Sequence, residues 1–124
     1  MAAIITSPNA PAALGPYSHA VLAGDTLFTS GQIAINPATG NVEETTIEGQ
    51  TEQVMKNLAA LLEEAGASFD SVIKTTCFLS DMADFAAFNA IYGAYFVSKP
   101  ARSCVAAKQL PKNVLVEVEL IAAV

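Results

Sequence analysis

The sequence predicts an α+β fold in which two helices cover one face of a sheet, in the order β-β, helix, β, helix, β-β. Residues 46–65 place apolar side chains at three- and four-residue steps, as an amphipathic helix does. Residues 114–122 alternate their side chains between two faces, as a strand does. The length of 124 residues predicts one domain over 1–124, because two domains would leave about 60 residues each and little core.

The first third of the chain is predicted to form an arm and a hairpin. Two prolines make Ser7–Pro11 an irregular arm. Ala20–Ala23 and Thr26–Ser30 are predicted strands, and Gly24–Asp25 between them matches a two-residue turn with glycine first. Asn36–Gly40 is a second turn, because Asn, Pro and Gly each favour turns.

The longer predicted helix, residues 46–65, has a start and a stop signal. Thr45 and Glu48 have the spacing of a capping box. Gly66 can take the left-handed conformation that ends a helix. The apolar stripe consists of Ile47, Thr51, Val54, Leu58, Leu61, Leu62 and Ala65.

The second half of the chain is predicted to add a strand, a helix and two final strands. Val72–Leu79 is rich in β-branched residues and predicts a buried strand. The second helix runs over Phe85–Val97, with Asp84 as its cap, and Pro100 ends it because the residue before proline avoids helical backbone. The remaining elements are the strands Ser103–Leu110 and Val114–Ala122 and the turn Pro111–Asn113.

Two helices cover only one face of such a sheet, so the other face is expected to be bare. The period of two puts Glu117 and Glu119 on the face opposite to Val116 and Val118. The chain is 52% hydrophobic and only 15% charged, whereas about 25% charged is typical of a domain. This composition predicts a homo-oligomer in which another subunit covers the bare face.

The net charge of -6 opposes binding to nucleic acid or to an anionic membrane surface, because phosphates would be repelled. No apolar run approaches the roughly 18 residues of a membrane span. The first basic residue is Lys56, so neither a secretory signal nor a mitochondrial transit peptide is predicted, and we expect a cytoplasmic protein.

Metal and nucleotide cofactors are not expected. The two cysteines, Cys77 and Cys104, do not form a disulfide framework, and they suit a reducing compartment. One histidine without a Cys-x-x-Cys motif makes a zinc site improbable. The sequence has no phosphate loop and no dinucleotide fingerprint.

Arg102 and Glu117 are the first candidates for a site. Arg102 is the chain's single arginine, at the mouth of a strand, and its planar donors suit a carboxylate, although a surface arginine paired with an acid is the alternative. Glu117 lies in an apolar strand, where a carboxylate must be paired, exposed or functional. Glu119 faces the same side, so the two acids suggest either acid/base chemistry or ordinary outward-facing residues.

Four further residues are weaker candidates. Cys104 could be a nucleophile if His19 lay nearby, but a small buried hydrophobe is the more common role for such a cysteine. His19 itself is expected in a loop or at the surface. Tyr17 lies in an exposing turn. Gly31 ends a strand and permits close backbone approach, to a ligand or to another strand.

Five separated motifs resemble the RidA (YjgF) family of reactive-intermediate imine deaminases over essentially the whole chain. They are Gly15-Pro16-Tyr17-Ser18, Thr29-Ser30-Gly31-Gln32, Lys74-Thr75-Thr76, Pro100-Ala101-Arg102-Ser103-Cys104, and Leu110-Pro111-Lys112 with Val116-Glu117-Val118-Glu119. The resemblance implies a chorismate-mutase-like fold, assembled as a homotrimer with a central barrel and clefts between subunits. It also implies hydrolysis of 2-iminobutanoate and 2-iminopropanoate to 2-oxo acids and ammonia, without metal or cofactor.

The same resemblance implies roles for individual residues. Arg102 would bind the substrate carboxylate, and Glu117 would orient the attacking water. Cys104 would contribute its backbone N–H. The remaining substrate-binding residues would be Tyr17, Gly31 and Asn89.

The chain departs from the family pattern before the arginine, where Ser98-Lys99-Pro100 is short and has lysine in place of an aromatic residue. His19 replaces a common glutamine, which we regard as minor. The altered loop keeps open a second hypothesis, a non-catalytic trimeric module that binds small carboxylates or regulates an enzyme. A third, endoribonuclease activity, is disfavoured by the net charge.

Overall fold

Two helices and eight strands make up residues 2–124 in the computed structural model. The main sheet has six strands in the order β1-β2-β3-β8-β6-β7, and β4 and β5 form a separate small hairpin. The strands are β1 (Ala3–Ile5), β2 (Ala20–Ala23), β3 (Thr26–Thr29), β4 (Ile35–Asn36), β5 (Asn41–Val42), β6 (Val72–Leu79), β7 (Ala101–Ala106) and β8 (Val116–Ala123). The helices are α1 (Ile47–Glu64) and α2 (Phe85–Tyr95).

The sheet is mixed, which confirms the predicted α+β class. Neighbouring strands are antiparallel except β6 and β7, which run parallel because α2 connects them as a crossover. Gly24, at φ +60°, forms the predicted two-residue turn between β2 and β3.

The core lies between the two helices and one face of the sheet. Leu58 of α1, Phe88 of α2 and Val118 of β8 are fully buried in it. Three polar residues of α1, Gln50, Thr51 and Asn57, are buried as well. The Asn57 side-chain amide donates to the backbone carbonyls of Ile33 and Ile35, so the helix also holds the segment after β3. The predicted apolar stripe of α1 is therefore correct but incomplete, because the buried face of the helix also contains polar residues.

The opposite face of the main sheet carries no helix. Phe28 is 45% exposed and Val105 is 49% exposed on it. Glu117 and Glu119 are half-buried on the same face, opposite Phe78 and Thr76 of β6. The division of β8 into two faces is as predicted.

Several predicted boundaries are wrong. The arm is preceded by a strand, β1, whose three residues are too few to show a period. The turn at Pro111–Asn113 is as predicted, but the strands on either side are shorter there, because β7 ends at Ala106 and β8 begins at Val116. β7 begins at Ala101, which pairs with Lys74 in parallel register.

Gly66 follows α1 in the predicted left-handed conformation, at φ +74°, but neither predicted N-terminal cap makes its hydrogen bond. Thr46, not Thr45, caps α1 by accepting a hydrogen bond of 3.1 Å from the Gly49 N–H. A glycine in that position has no side chain to complete a capping box. Asp84 makes no capping bond, because a short 3-10 turn precedes α2 and Asp81 caps that turn instead.

Candidate functional site

All of the predicted site residues except Cys104 line one of two separate clefts. The arginine cleft, about 450 Å³, lies between α2 and the segment that enters β7, and its polar lining is Asn89, Tyr92, Lys99 and Arg102. The glutamate cleft, about 510 Å³, lies where the loops after the arm and after β3 meet β8, and its lining includes Tyr17, Gly31, Glu117 and Glu119.

In the arginine cleft, three side chains of α2 contact the guanidinium of Arg102. Arg102 Nη1 donates a hydrogen bond of 2.7 Å to Asn89 Oδ1. The guanidinium carbon lies 4.8 Å from the centroid of the Tyr92 ring and 5.4 Å from that of Phe85. Residues 85, 89 and 92 share one face of α2, since helical neighbours are three and four residues apart. The hydrogen-bond partner of Arg102 within the described chain is therefore a neutral amide and not an acid.

The position of Tyr92 is fixed in turn by β6. Its hydroxyl shares a hydrogen bond of 2.7 Å with Thr75 Oγ1, and both groups are buried. Thr75 lies opposite Arg102 in the register of β6 and β7. The ring that lies against the guanidinium is therefore tied to the strand that pairs with β7, which restricts the arginine to one orientation.

In the glutamate cleft, the Glu117 carboxyl group packs against Gly31. A Cβ built on Gly31 would clash with the Glu117 carboxylate and lie 2.9 Å from its Cδ. Glycine therefore makes room for a side chain rather than for another strand. Burial raises the pKa of Glu117, and the neighbouring charge of Glu119 raises it further.

Tyr17 forms the opposite wall of the glutamate cleft. It is 46% exposed, as predicted for a turn tyrosine. Its hydroxyl oxygen accepts a hydrogen bond of 3.1 Å from the Leu14 N–H, which folds the end of the arm back on itself. Leu14 lines the same cleft, so this wall combines an aromatic ring with an aliphatic side chain.

The two cysteines lie side by side on β6 and β7. Cys77 pairs with Cys104 in register, and burial raises the pKa of Cys77 to about 12. Burial also raises the pKa of the Cys104 thiol, although the charge of Arg102 opposes this. A neutral thiol is a weak nucleophile at neutral pH.

His19 does not serve Cys104 as a base within one chain. It precedes β2, which is four strand steps from β7, or about 19 Å at 4.8 Å per step. His19 lies in a loop, as expected, but not at the surface, because it is only 6% exposed. Its Nδ1 accepts a hydrogen bond of 3.3 Å from the Ser7 N–H, and this bond fixes the arm.

One chain does not bring Arg102 and Glu117 together. Arg102 lies opposite Thr75 on the face of the sheet that packs against the helices. Glu117 lies opposite Phe78, which is three residues beyond Thr75 on β6 and therefore on the other face of the sheet, the bare face. Successive side chains of a strand point to opposite faces, so the two residues are separated by the sheet itself. Tyr17, Gly31 and Glu117 form one group, and Arg102, Asn89 and Cys104 form another.

Comparison with known proteins identifies the family. A family model described as Endoribonuclease L-PSP matches residues 7–124. The chain belongs to this family, that of RidA. A Lactococcus lactis protein named as a candidate regulator, AldR, is 53% identical over 98% of this chain and 97% of its own length. The 2-iminobutanoate/2-iminopropanoate deaminase of Escherichia coli K12 is 44% identical over 98% of both chains.

A solved structure of the RidA family shares the fold. The crystal structure of E. coli TdcF with bound serine superposes with a TM-score of 0.94, at 39% identity and over 98% of both chains. The relatives named as deaminases support a reactive-intermediate deaminase role at the level of the family.

Three residues that contact Arg102 or line the arginine cleft were not predicted as parts of a site. Phe85 and Tyr92 lie within the predicted second helix, and their spacing from Asn89 could have placed them beside the arginine. Lys99 was noted only as a departure from the family pattern. Among residues 2–124, no three His, Cys, Asp or Glu side chains lie together so as to hold a metal ion, and neither helix is long and apolar enough to cross a membrane.

Proposed function

We propose that this chain hydrolyses reactive 2-imino acids, including 2-iminobutanoate and 2-iminopropanoate, to 2-oxo acids and ammonia. The observation that carries the proposal is the Arg102 guanidinium. It is oriented by two rings and one amide, and Asn89 leaves its charge uncompensated. A guanidinium held in this way suits the carboxylate that every 2-imino acid carries. Family membership, with a deaminase among the relatives, supports the reaction type.

The proposed site forms between two subunits of a homotrimer. In this arrangement the arginine cleft of one subunit faces the glutamate cleft of the next. A shared site is needed because one chain holds Arg102 and Glu117 on opposite faces of its sheet. The bare faces, with Phe28 and Val105 exposed, pack together around a central barrel. The low charged fraction of 15% agrees with buried subunit contacts.

The proposed reaction adds water across the C=N bond and then removes ammonia. Arg102 holds the substrate carboxylate, assisted by the backbone N–H of Cys104. Glu117 of the neighbouring subunit orients a water. Its oxygen bonds to the imine carbon, the π electrons move to nitrogen, and one water proton is transferred to that nitrogen to give the carbinolamine. The carbinolamine hydroxyl then gives up its proton, the nitrogen gains one, the C–N bond breaks, and ammonia leaves as the C=O bond of the 2-oxo acid forms. An imine carbon is already electrophilic, so positioning supplies much of the acceleration, and the step requires neither metal nor cofactor.

The other site residues have supporting roles in this proposal. Asn89 holds Arg102 in place, and Tyr17 encloses the substrate from the neighbouring subunit. Gly31 leaves the space that the Glu117 side chain occupies. Cys104 does not act through its thiol, because burial keeps that group neutral.

A non-catalytic module that binds small carboxylates is the second candidate. The naming of AldR as a candidate regulator and the serine bound to TdcF favour it. Endoribonuclease activity, which the family's name describes, is opposed by the net charge of -6.

The deciding experiment measures the lifetime of 2-iminopropanoate, generated by an amino acid oxidase and trapped with semicarbazide. Wild type should shorten the lifetime, and Arg102→Ala should lose about 2–5 kcal/mol of substrate binding, on the order of 30- to several-thousand-fold in rate. Lys56→Ala, which removes an exposed charge of α1, is the matched control and should act as wild type. A wild type that binds 2-oxo acids but leaves the imine lifetime unchanged is a binding module, not a deaminase.

A further inference from the structure

The arginine cleft contains a second cation, Lys99. The chain has 6 basic residues against 12 acidic ones, yet two of the basic residues line this one cleft. None of the residues 2–124 that line it is acidic. Two like charges without an acid raise the local potential and attract anions. The cleft therefore has more positive charge than one substrate carboxylate requires.

The backbone at Lys99 is not what a lysine ordinarily adopts. Lys99 has φ +55°, in the left-handed region that glycine and asparagine occupy most readily. It also precedes Pro100, which normally favours an extended backbone. The turn is closed by the Lys99 N–H, which donates to the Phe96 carbonyl at 3.1 Å. Neither the turn nor the following proline requires a lysine at this position. We therefore look for a role of Lys99 in its side chain.

The cleft geometry lets both cations contact one small molecule. Lys99 and Arg102 are three residues apart, so their Cα atoms are separated by at most about 11 Å. The side chain of Lys99 is exposed at the cleft, and a lysine has a flexible four-carbon stem. Arg102, by contrast, is fixed by α2. A molecule whose first carboxylate binds Arg102 can therefore present a second acidic group to a mobile ammonium.

We propose that Lys99 binds an acidic group at the far end of the substrate side chain, so that the preferred substrates are imines of amino dicarboxylic acids. The inference rests on the proposed function and names its substrate class. The reaction is unchanged: water and the imine give the 2-oxo diacid and ammonia, and both carboxylates remain intact. The probe is 2-iminosuccinate, the four-carbon member of this class.

The test compares two imines with three proteins. Each imine is generated by the matching amino acid oxidase, and kcat/KM is measured for wild type, Lys99→Met and Lys108→Met. Lys108 is an exposed lysine beyond β7 that lines neither cleft, so it is the matched control. Lys99→Met should lower kcat/KM for 2-iminosuccinate about tenfold, the effect of losing one partly desolvated charge pair. It should leave 2-iminopropanoate within twofold, and Lys108→Met should change neither.

Two results overturn the inference. An equal loss on both imines makes Lys99 a structural residue of the turn. No loss on either shows that the ammonium does not reach the substrate.

Failure of the proposed function is distinguishable from failure of this inference. If wild type accelerates neither imine, the deaminase proposal fails. The role of Lys99 is then measured by calorimetry with oxaloacetate and pyruvate. Lys99→Met should weaken oxaloacetate about tenfold and pyruvate little, and equal affinities in wild type and variant overturn it.

Discussion

Two inactive variants should restore activity when they are mixed as subunits of one oligomer. Arg102→Ala destroys the arginine cleft of its chain but leaves the glutamate cleft intact, because the two lie on opposite faces of the sheet. Glu117→Gln does the reverse. If each site takes one cleft from each of two chains, random assembly of equal amounts leaves about one quarter of the sites intact.

The expected recovery of activity is large compared with the residual activity of either variant alone. Arg102→Ala alone should be lower than wild type by about 30-fold or more. Glu117→Gln alone should be lower by about 100-fold or more, as for loss of a positioned base. Because about one quarter of its sites are intact, the mixture should reach about 25% of the activity of the same amount of wild type.

The assay unfolds and refolds the two variants together and follows 2-iminopropanoate lifetime with the semicarbazide trap. Variants refolded separately and then combined are the first control and should stay inactive until subunits exchange. The second control mixes wild type with the double variant. Sites shared between chains leave about one quarter intact, whereas sites within one chain leave about one half. No recovery in the first mixture, together with one half in the second, would refute the shared site.

Three further predictions concern single residues. As the pH is lowered, activity should already fall at a pH above 4.5, the ordinary pKa of glutamate. The reason is that Glu117 must be ionised to orient water, and its pKa is raised by burial and by Glu119. Glu119→Gln should lower that pKa and move the acid limb of the pH–rate profile to lower pH, and an unmoved limb contradicts the coupling. Gly31→Ala should reduce kcat about tenfold or more with little change in Tm, because the new methyl group displaces the Glu117 carboxylate rather than the backbone; loss of Tm in proportion to activity would instead indicate a folding defect. Cys104→Ala should retain activity within about threefold, since the buried thiol is neutral; a loss comparable with Arg102→Ala, measured in the same imine assay, would make the thiol a reactant.

Regular periods made some of the fold predictable. The stripe of α1 and the alternation of β8 extend over many residues, and Gly24 can take the positive φ of its turn without strain. β1 has only three residues, and the cap of α1 differs from the predicted one by a single position. A pattern of one to three residues is too short to identify a strand or to place a helix cap at one residue rather than the next.

The site was less predictable, because it depends on pairing between distant strands. That Arg102 faces the helices follows from its register with Thr75, which no local pattern reveals. The burial of His19 depends on a bond from the arm twelve residues earlier. The spacing of Phe85, Asn89 and Tyr92 was visible, but its meaning required knowing which strand passes that face of α2. The roles assigned to Arg102 and Glu117 come from family resemblance.

The edge strand β7 has a consequence for the isolated chain. It pairs with β6 on one side only, so its outer N–H and C=O groups are available to a further strand. An apolar edge of this kind is a template for aggregation, and charged or proline residues at its ends are the usual protection. Pro100 precedes β7 and Lys108 follows it, while Val105 between them is half-exposed. An isolated chain is therefore expected to aggregate by edge-to-edge pairing in the middle of β7.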